Sequence, residues 1–299
     1  MNPDIFGFIF YFTELQFVSL NHQIKFTMKR ILIFLFLTIV STPFFSQEYR
    51  MENNVHYYDD KTNASDVYIN ERCVLDLYVP KNVKNFSTVI WFHGGGITGG
   101  EKEIPEVLKN KGIAVIGVNY RLSPKVNAPK YIEDAAAATA WVFKNIKKYG
   151  GDESKIFISG HSAGGYLAIM VGLNKIYLNK YGIDANKLAA IVPFSGQMIS
   201  HFTIRKERGI DELDARIDEY APLHFIRADA PPLLLITGDR EKELLGRYEE
   251  NAYMARMMKL KGHKETTLYE LQGFDHGGMA LPAFPLLLNE IKRVEKLKK

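Results

Sequence analysis

The chain has 299 residues, of which 46% are hydrophobic and 24% charged, and 38 Lys and Arg against 34 Asp and Glu leave a formal net charge of +4. That is ordinary globular composition, so a disordered or collagen-like chain is excluded, and so balanced a charge argues against nucleic acid as a main partner. One cysteine, Cys73, excludes an internal disulfide, and the eight histidines are scattered without ligand spacing, so no metal is expected.

Residues 28–46 have the three parts of a secretory signal: basic Met28-Lys29-Arg30, an apolar run over 31–40, and a small residue, Ser46, before polar Gln47. The run is short against the ~20 residues of a membrane-spanning helix. Cleavage after Ser46 is the expectation, with an uncleaved anchor extended by Phe44 and Phe45 as the alternative. Translation is then expected to begin at Met28, with 1–27 a leader from a mis-set start. The mature protein would be periplasmic or released, with no stable membrane insertion.

A catalytic domain is expected over 52–299. Short apolar runs predict buried, mostly parallel strands at Val74–Val79, Thr88–Phe92, Ile113–Asn119, Lys155–Ser159, Ala189–Phe194, Leu233–Thr237 and Thr267–Leu271. Helices are predicted between and after them at Ile132–Lys147, Ala163–Leu173, Glu243–Lys261 and Pro285–Lys298. Alternation of this kind means an open α/β sheet with helices on both faces. Cys73 precedes the first of these strands and reads as a half-buried thiol, not a nucleophile. Residues 200–228 are polar and interrupt the alternation, either as a cap-like insertion or as a plain surface excursion.

Four loops at strand ends carry chemistry. His93-Gly94-Gly95-Gly96 follows the second strand; its glycines let backbone N–H groups approach a developing oxyanion. No phosphate-loop spacing accompanies them, and His93 reads as a brace for the loop. Gly160-His161-Ser162-Ala163-Gly164 joins a strand to a helix. In so tight a turn, glycines on both flanks relieve crowding and push the serine hydroxyl outward. Gly238-Asp239-Arg240-Glu241 and Glu243 follow another strand, and Asp239, Glu241 and Glu243 are all candidates to hold a histidine. Gly273-Phe274-Asp275-His276-Gly277-Gly278 supplies that histidine, with Asp275 expected to point elsewhere. The order serine, acid, histidine, each just past a strand, is the order of α/β-hydrolases.

On these motifs the chain resembles the α/β-hydrolase superfamily, and within it the carboxylesterases with a His-Gly-Gly-Gly loop. It looks most like bacterial esterases related to feruloyl and acetyl-xylan esterases and to kynurenine formamidases. Tyr120-Arg121-Leu122-Ser123-Pro124 and Ile132-Glu133-Asp134 extend the likeness. The resemblance implies Ser162 as nucleophile, His276 as general base, and Gly95, Gly96 and Ala163 as oxyanion donors. It places the acid three residues past the strand-end glycine, at Glu241, with Asp239 as runner-up. It implies no cofactor and a small or polysaccharide-linked ester as substrate. An amidase, peptidase or formamidase of the same fold, and a non-catalytic binding relative, are the alternatives.

Overall fold

The computed structural model describes residues 47–297, with His22, Ile24, Lys25 and Lys29 ahead of them in helical conformation. The leader and signal readings over 1–27 and 28–46 otherwise lie outside the described residues. The unit that begins at Gln47 is built on eight strands: β1 (Tyr49–His56), β2 (Val74–Pro80), β3 (Phe86–Phe92), β4 (Ala114–Val118), β5 (Gly151–His161), β6 (Ala190–Phe194), β7 (Leu233–Gly238) and β8 (Thr266–Leu271). They lie in the order β1-β2-β4-β3-β5-β6-β7-β8. β1 and β2 run antiparallel to their neighbours, and the other pairs are parallel.

Seven of these strands are the runs predicted from apolar pattern. β1 is the one that pattern does not reveal. It is a mostly exposed edge strand, Tyr-Arg-Met-Glu-Asn-Asn-Val-His, and its register breaks between Glu52 and Val55. A strand with little to bury has no alternation to read.

The helices are α1 (Asp60–Ser65), α2 (Val67–Arg72), α3 (Lys130–Tyr149), α4 (Ala163–Leu173), α5 (Lys175–Asn179), α6 (Phe202–Glu207), α7 (Arg247–Leu260) and α8 (Ala280–Leu297). α3 stops where Gly150 turns left-handed (φ 98°) and its N–H caps the carbonyls of Ile146 and Lys147. α7 begins four residues later than the predicted Glu243, because Gly246 at φ 68° breaks the helical path. α8 begins before Pro285 and runs through it. The proline deprives the Leu281 carbonyl of its helical donor, at a residue that is exposed. Among the described residues no helix is long and apolar enough to cross a membrane.

Alternate residues of the central strands face two cores. Ile90, Phe92, Ile156 and Ile158 join the face covered by α3 and α4. Val89, Trp91 and Phe157 join the face covered by α8. Burial on both faces explains why these strands read as continuous apolar runs. Cys73 is fully buried, and burial pushes its thiol pKa up, which makes it a poor nucleophile.

The sharpest packing constraint lies where β5 turns into α4. A Cβ on Gly164 would stand 2.0 Å from the Phe92 carbonyl oxygen, and one on Gly160 would stand 2.5 Å from the same atom. Both obstacles are backbone, so β3 would have to move. Gly164→Ala is therefore expected to destabilise the fold by about 2–3 kcal/mol, the upper range for overpacking. Urea denaturation checks it: a lower midpoint at unchanged slope is the expected result.

Candidate active site

Ser162 sits between β5 and α4 at φ 55°, ψ −116°, a left-handed conformation for a non-glycine residue. Strain of this kind persists only where surroundings enforce it. Here the Ser162 N–H donates to the Phe194 carbonyl at 2.8 Å, and the Tyr166 N–H to the Ser162 carbonyl at 2.9 Å. Ser162 is buried, 8% exposed. Ala163 opens α4, so its N–H has no intrahelical acceptor.

The glycine loop after β3 comes to the same place. A Cβ on Gly94 would lie 3.6 Å from the Ser162 Cβ. Gly95 and Gly96 hold φ of 105° and 62°, which only glycine adopts freely. Bracing around this loop is dense. His93 stacks on Tyr120 with ring centroids 4.4 Å apart, its Nδ1 lies 2.7 Å from the Gly94 carbonyl, and the Tyr120 hydroxyl donates to the His93 carbonyl at 2.8 Å. Burial pushes the His93 imidazole pKa down to about 4, so the ring is a neutral prop. Arg72 reaches the carbonyls of Gly100 and Tyr120. The next segment is pinned in turn, because Arg121 grips fully buried Asp134 through Nε at 2.9 Å and Nη2 at 2.8 Å. That fork joins the two motifs, Tyr120–Pro124 and Ile132–Asp134, on which the family resemblance partly rested.

His276 follows β8, and its Nδ1 meets a carboxylate at 2.8 Å. The carboxylate belongs to Glu243, whose side chain is 1% exposed. This corrects the choice of Glu241 and its alternative Asp239. Glu241 is exposed. Asp239 accepts the N–H groups of Gly273 at 2.7 Å and Glu241 at 3.0 Å, and so ties the two turns together instead of meeting the imidazole. The physical reason is a helical turn: the N–H of Glu243 bonds the Asp239 carbonyl at 2.8 Å. One turn carries the side chain back over the end of β7, where the Gly238 N–H donates to Oε1 at 2.8 Å. Asp275 turns away, as expected, and accepts the Gly278 N–H.

Two further residues belong to this arrangement; Ser195 carries no sequence signal of its own, and His161 stands in the serine motif without a role read for it. Ser195, just past β6, donates its hydroxyl to Glu243 Oε1 at 2.7 Å and lies 2.9 Å from His276 Nδ1. It too is left-handed, at φ 47°. His161 donates Nε2–H to the His276 carbonyl at 2.8 Å, and the two rings lie 4.8 Å apart. Burial, then the neighbouring His276, pushes His161 to about 4, which keeps it a neutral donor.

Burial alone would raise the Glu243 carboxyl pKa. The bonds from His276, Ser195 and Gly238 outweigh it and hold the group at about 2. An ionised carboxylate accepts only, so Nδ1 carries a proton, and in the neutral ring Nε2 is the free nitrogen. That is the tautomer a general base requires.

The polar segment over 200–228 contributes α6, which packs on the glycine loop. Thr203 donates its hydroxyl to the Gly96 carbonyl, and a Cβ on Gly96 would lie 3.2 Å from the Phe202 ring.

A family model described as BD-FAE matches residues 75–248. Esterase LipC of Mycobacterium tuberculosis is 26% identical over 231 residues, covering 68% of this chain and 56% of that protein. The chain thus spans just over half the length of that curated relative. Among solved structures, a truncated form of a carbohydrate esterase from gut microbiota superposes with a TM-score of 0.68 at 22% identity, covering 84% of this chain and 98% of that one. Esterase B of Lactobacillus Rhamnosis gives 0.66 at 19%, covering 85% and 88%. At such identities the likeness is one of fold, and the fold is that of α/β-hydrolases.

Glu243 also couples stability to acid. Its folded pKa lies below the ordinary glutamate value of 4.5, so the stabilisation is fully present above about pH 4.5 and is lost as pH falls towards 2. Glu243→Gln should lower the urea midpoint at pH 7, with the gap from wild type narrowing between pH 5 and 3. Glu241→Gln should leave the midpoint unchanged at both ends.

Proposed function

The chain belongs to the BD-FAE family, and from that premise we propose that it is a serine carboxylesterase working through an acyl-enzyme. The observation that carries this reading is the chain of contacts from Ser195 through Glu243 to His276, whose carbonyl is held by His161, the residue before the strained Ser162. Glu243 fixes the imidazole tautomer and stabilises the charge that develops on it. His276 Nε2 takes the Ser162 proton as Oγ attacks the ester carbonyl. The N–H groups of Gly95, Gly96 and Ala163 receive the oxyanion; one such donor is typically worth about 3 kcal/mol of barrier. His276 then protonates the leaving alcohol. Water repeats the sequence and frees the acid.

Short-acyl and aryl esters are the proposed substrates, with acetyl and feruloyl groups on polysaccharide first among them. The carbohydrate esterase among the structural neighbours supports that choice. Export through the segment over 28–46 fits a substrate outside the cell, and sequencing of the mature N-terminus tests it: a start at Gln47 is expected, and peptides from 2–25 would contradict it.

The activity test is hydrolysis of p-nitrophenyl esters from acetate to decanoate, with acetylated and feruloylated xylan oligomers beside them. Turnover should be highest on acetate and vanish in Ser162→Ala. Glu243→Gln should lose on the order of 10³–10⁴ in kcat, as for a wrong imidazole tautomer, and Ser195→Ala about tenfold, one hydrogen bond to a charged group. Near-full turnover in Glu243→Gln would refute the triad.

A further inference from the structure

Beside the catalytic groups stand two buried arginines and a buried, neutral histidine for which acyl transfer has no use. His201 and Arg205 lie one turn apart at the start of α6, with the Arg205 N–H on the His201 carbonyl at 3.0 Å. Arg247 opens α7. The three residues are 0%, 4% and 2% exposed. Gln197 links the two helices, accepting the Phe202 N–H at 3.0 Å and reaching Glu250 at 3.5 Å. Burial, then Arg247 and Arg205, pushes the His201 imidazole well below its ordinary range, so the ring is neutral.

Each group keeps a buried N–H that no acceptor meets. The Thr203 N–H donates to His201 Nδ1 at 3.2 Å, so the neutral ring carries its proton on Nε2. That Nε2 is unpartnered, as are Arg205 Nε and Arg247 Nε. The guanidinium groups touch only backbone carbonyls: Arg205 Nη1 the Asp214 carbonyl at 2.9 Å, and Arg247 Nη1 the Ser195 carbonyl. Neither arginine makes an ion pair within 4 Å among the described residues, although Glu250 and Glu243 bear on Arg247 at longer range; the nearby carboxylates have other partners. Asp218 pairs with Arg208, Glu243 with His276. Glu250 accepts the N–H groups of Met198 and Ile199 at 2.7 and 3.3 Å, and Glu207 Oε2 those of Ala128 and the Tyr131 hydroxyl. Two buried acceptors close by are unpartnered as well, Asn251 Oδ1 and Glu207 Oε1. Water satisfies a donor but supplies no charge, and buried charge is costly until it is paired.

The cluster adjoins every part of the catalytic machinery. Phe202 and Thr203 press on Gly96. Arg247 holds the carbonyl of Ser195, whose hydroxyl touches Glu243 and His276. Tyr166, bonded to the Ser162 carbonyl, sets its ring 5.1 Å from that of His201.

We propose that His201, Arg205 and Arg247 form an anion subsite of the catalytic pocket, and that the preferred ester carries a carboxylate a few atoms from its scissile carbonyl. This rests on the esterase reading and narrows its substrate class to acidic esters, such as half-esters of dicarboxylic acids or esters of acidic sugars. The carboxylate takes the unpartnered donors and sets a charge against Arg205, which no ion pair meets among the described residues; a neutral ester does neither.

Two measurements test the subsite separately from the chemistry. Ser162→Ala protein, titrated calorimetrically at fixed ionic strength, should bind succinate and not neutral succinamide, and adding Arg205→Gln should weaken succinate about tenfold or more. In active protein, ethanol release from monoethyl succinate and from its neutral counterpart ethyl succinamate gives a ratio of kcat/KM. That ratio should favour the acid about tenfold, persist in charge-preserving Arg205→Lys and fall to about one in Arg205→Gln. Absent succinate binding with a wild-type ratio at or below one overturns the subsite, as does a full preference surviving in folded Arg205→Gln. Succinate binding without hydrolysis of any ester overturns the esterase reading and leaves the subsite standing.

Discussion

The contact between the Glu243 carboxylate and the His276 imidazole organises the whole upper edge of this sheet. It joins the turn after β7 to the turn after β8, adjacent parallel strands that end level at Gly238 and Leu271. Neither residue is positioned by its own strand alone. Glu243 reaches back over Gly238 because a helical turn lifts it there, and His276 is steadied from the opposite side by His161, the residue before Ser162. Ser195 closes the group from β6. Four neighbouring strands, β5 to β8, therefore each lend one side chain to a single hydrogen-bonded patch. An acid held near pKa 2 is the electrostatic consequence of that convergence.

On the other side of Ser162 the constraint is steric. β3 and β5 approach so closely that the turn into α4 passes against the Phe92 carbonyl with room for hydrogen alone at Gly160 and Gly164. The same approach brings the glycine loop beside the serine. What keeps that loop still is a polar scaffold below it: His93 on Tyr120, Arg72 on two carbonyls, Arg121 forked on Asp134. Breaking one partner of a buried pair such as Arg121–Asp134 typically costs about 3–5 kcal/mol. Preorganisation of this kind is what lets N–H donors stabilise a charge without moving.

Much of this was legible in the amino-acid order. Strands buried on both faces announce themselves as apolar runs, and glycines forced by close backbone approach announce themselves as motifs around Ser162 and after His93. The acid was legible only as one of three carboxylates. Counting residues from Gly238 favours Glu241, whereas the local path is helical and returns Glu243. β1 was hidden because an exposed edge strand has no apolar pattern. Ser195, His201, Arg205 and Arg247 were hidden for a different reason: nothing local distinguishes them from ordinary loop or helix residues. His161 sat inside the serine motif, but its bond to the His276 carbonyl, 115 residues away, was not legible there.

The most direct measurement of the central claim is proton NMR of the resting protein in the far-downfield imidazole region. A carboxylate on His276 Nδ1 holds that proton in a strong, slowly exchanging bond, so one resonance should appear well downfield of the amide envelope. It should vanish in Glu243→Gln and persist in Glu241→Gln and Asp239→Asn. A resonance that survives in Glu243→Gln, or that is lost on changing Glu241 or Asp239, would contradict the arrangement.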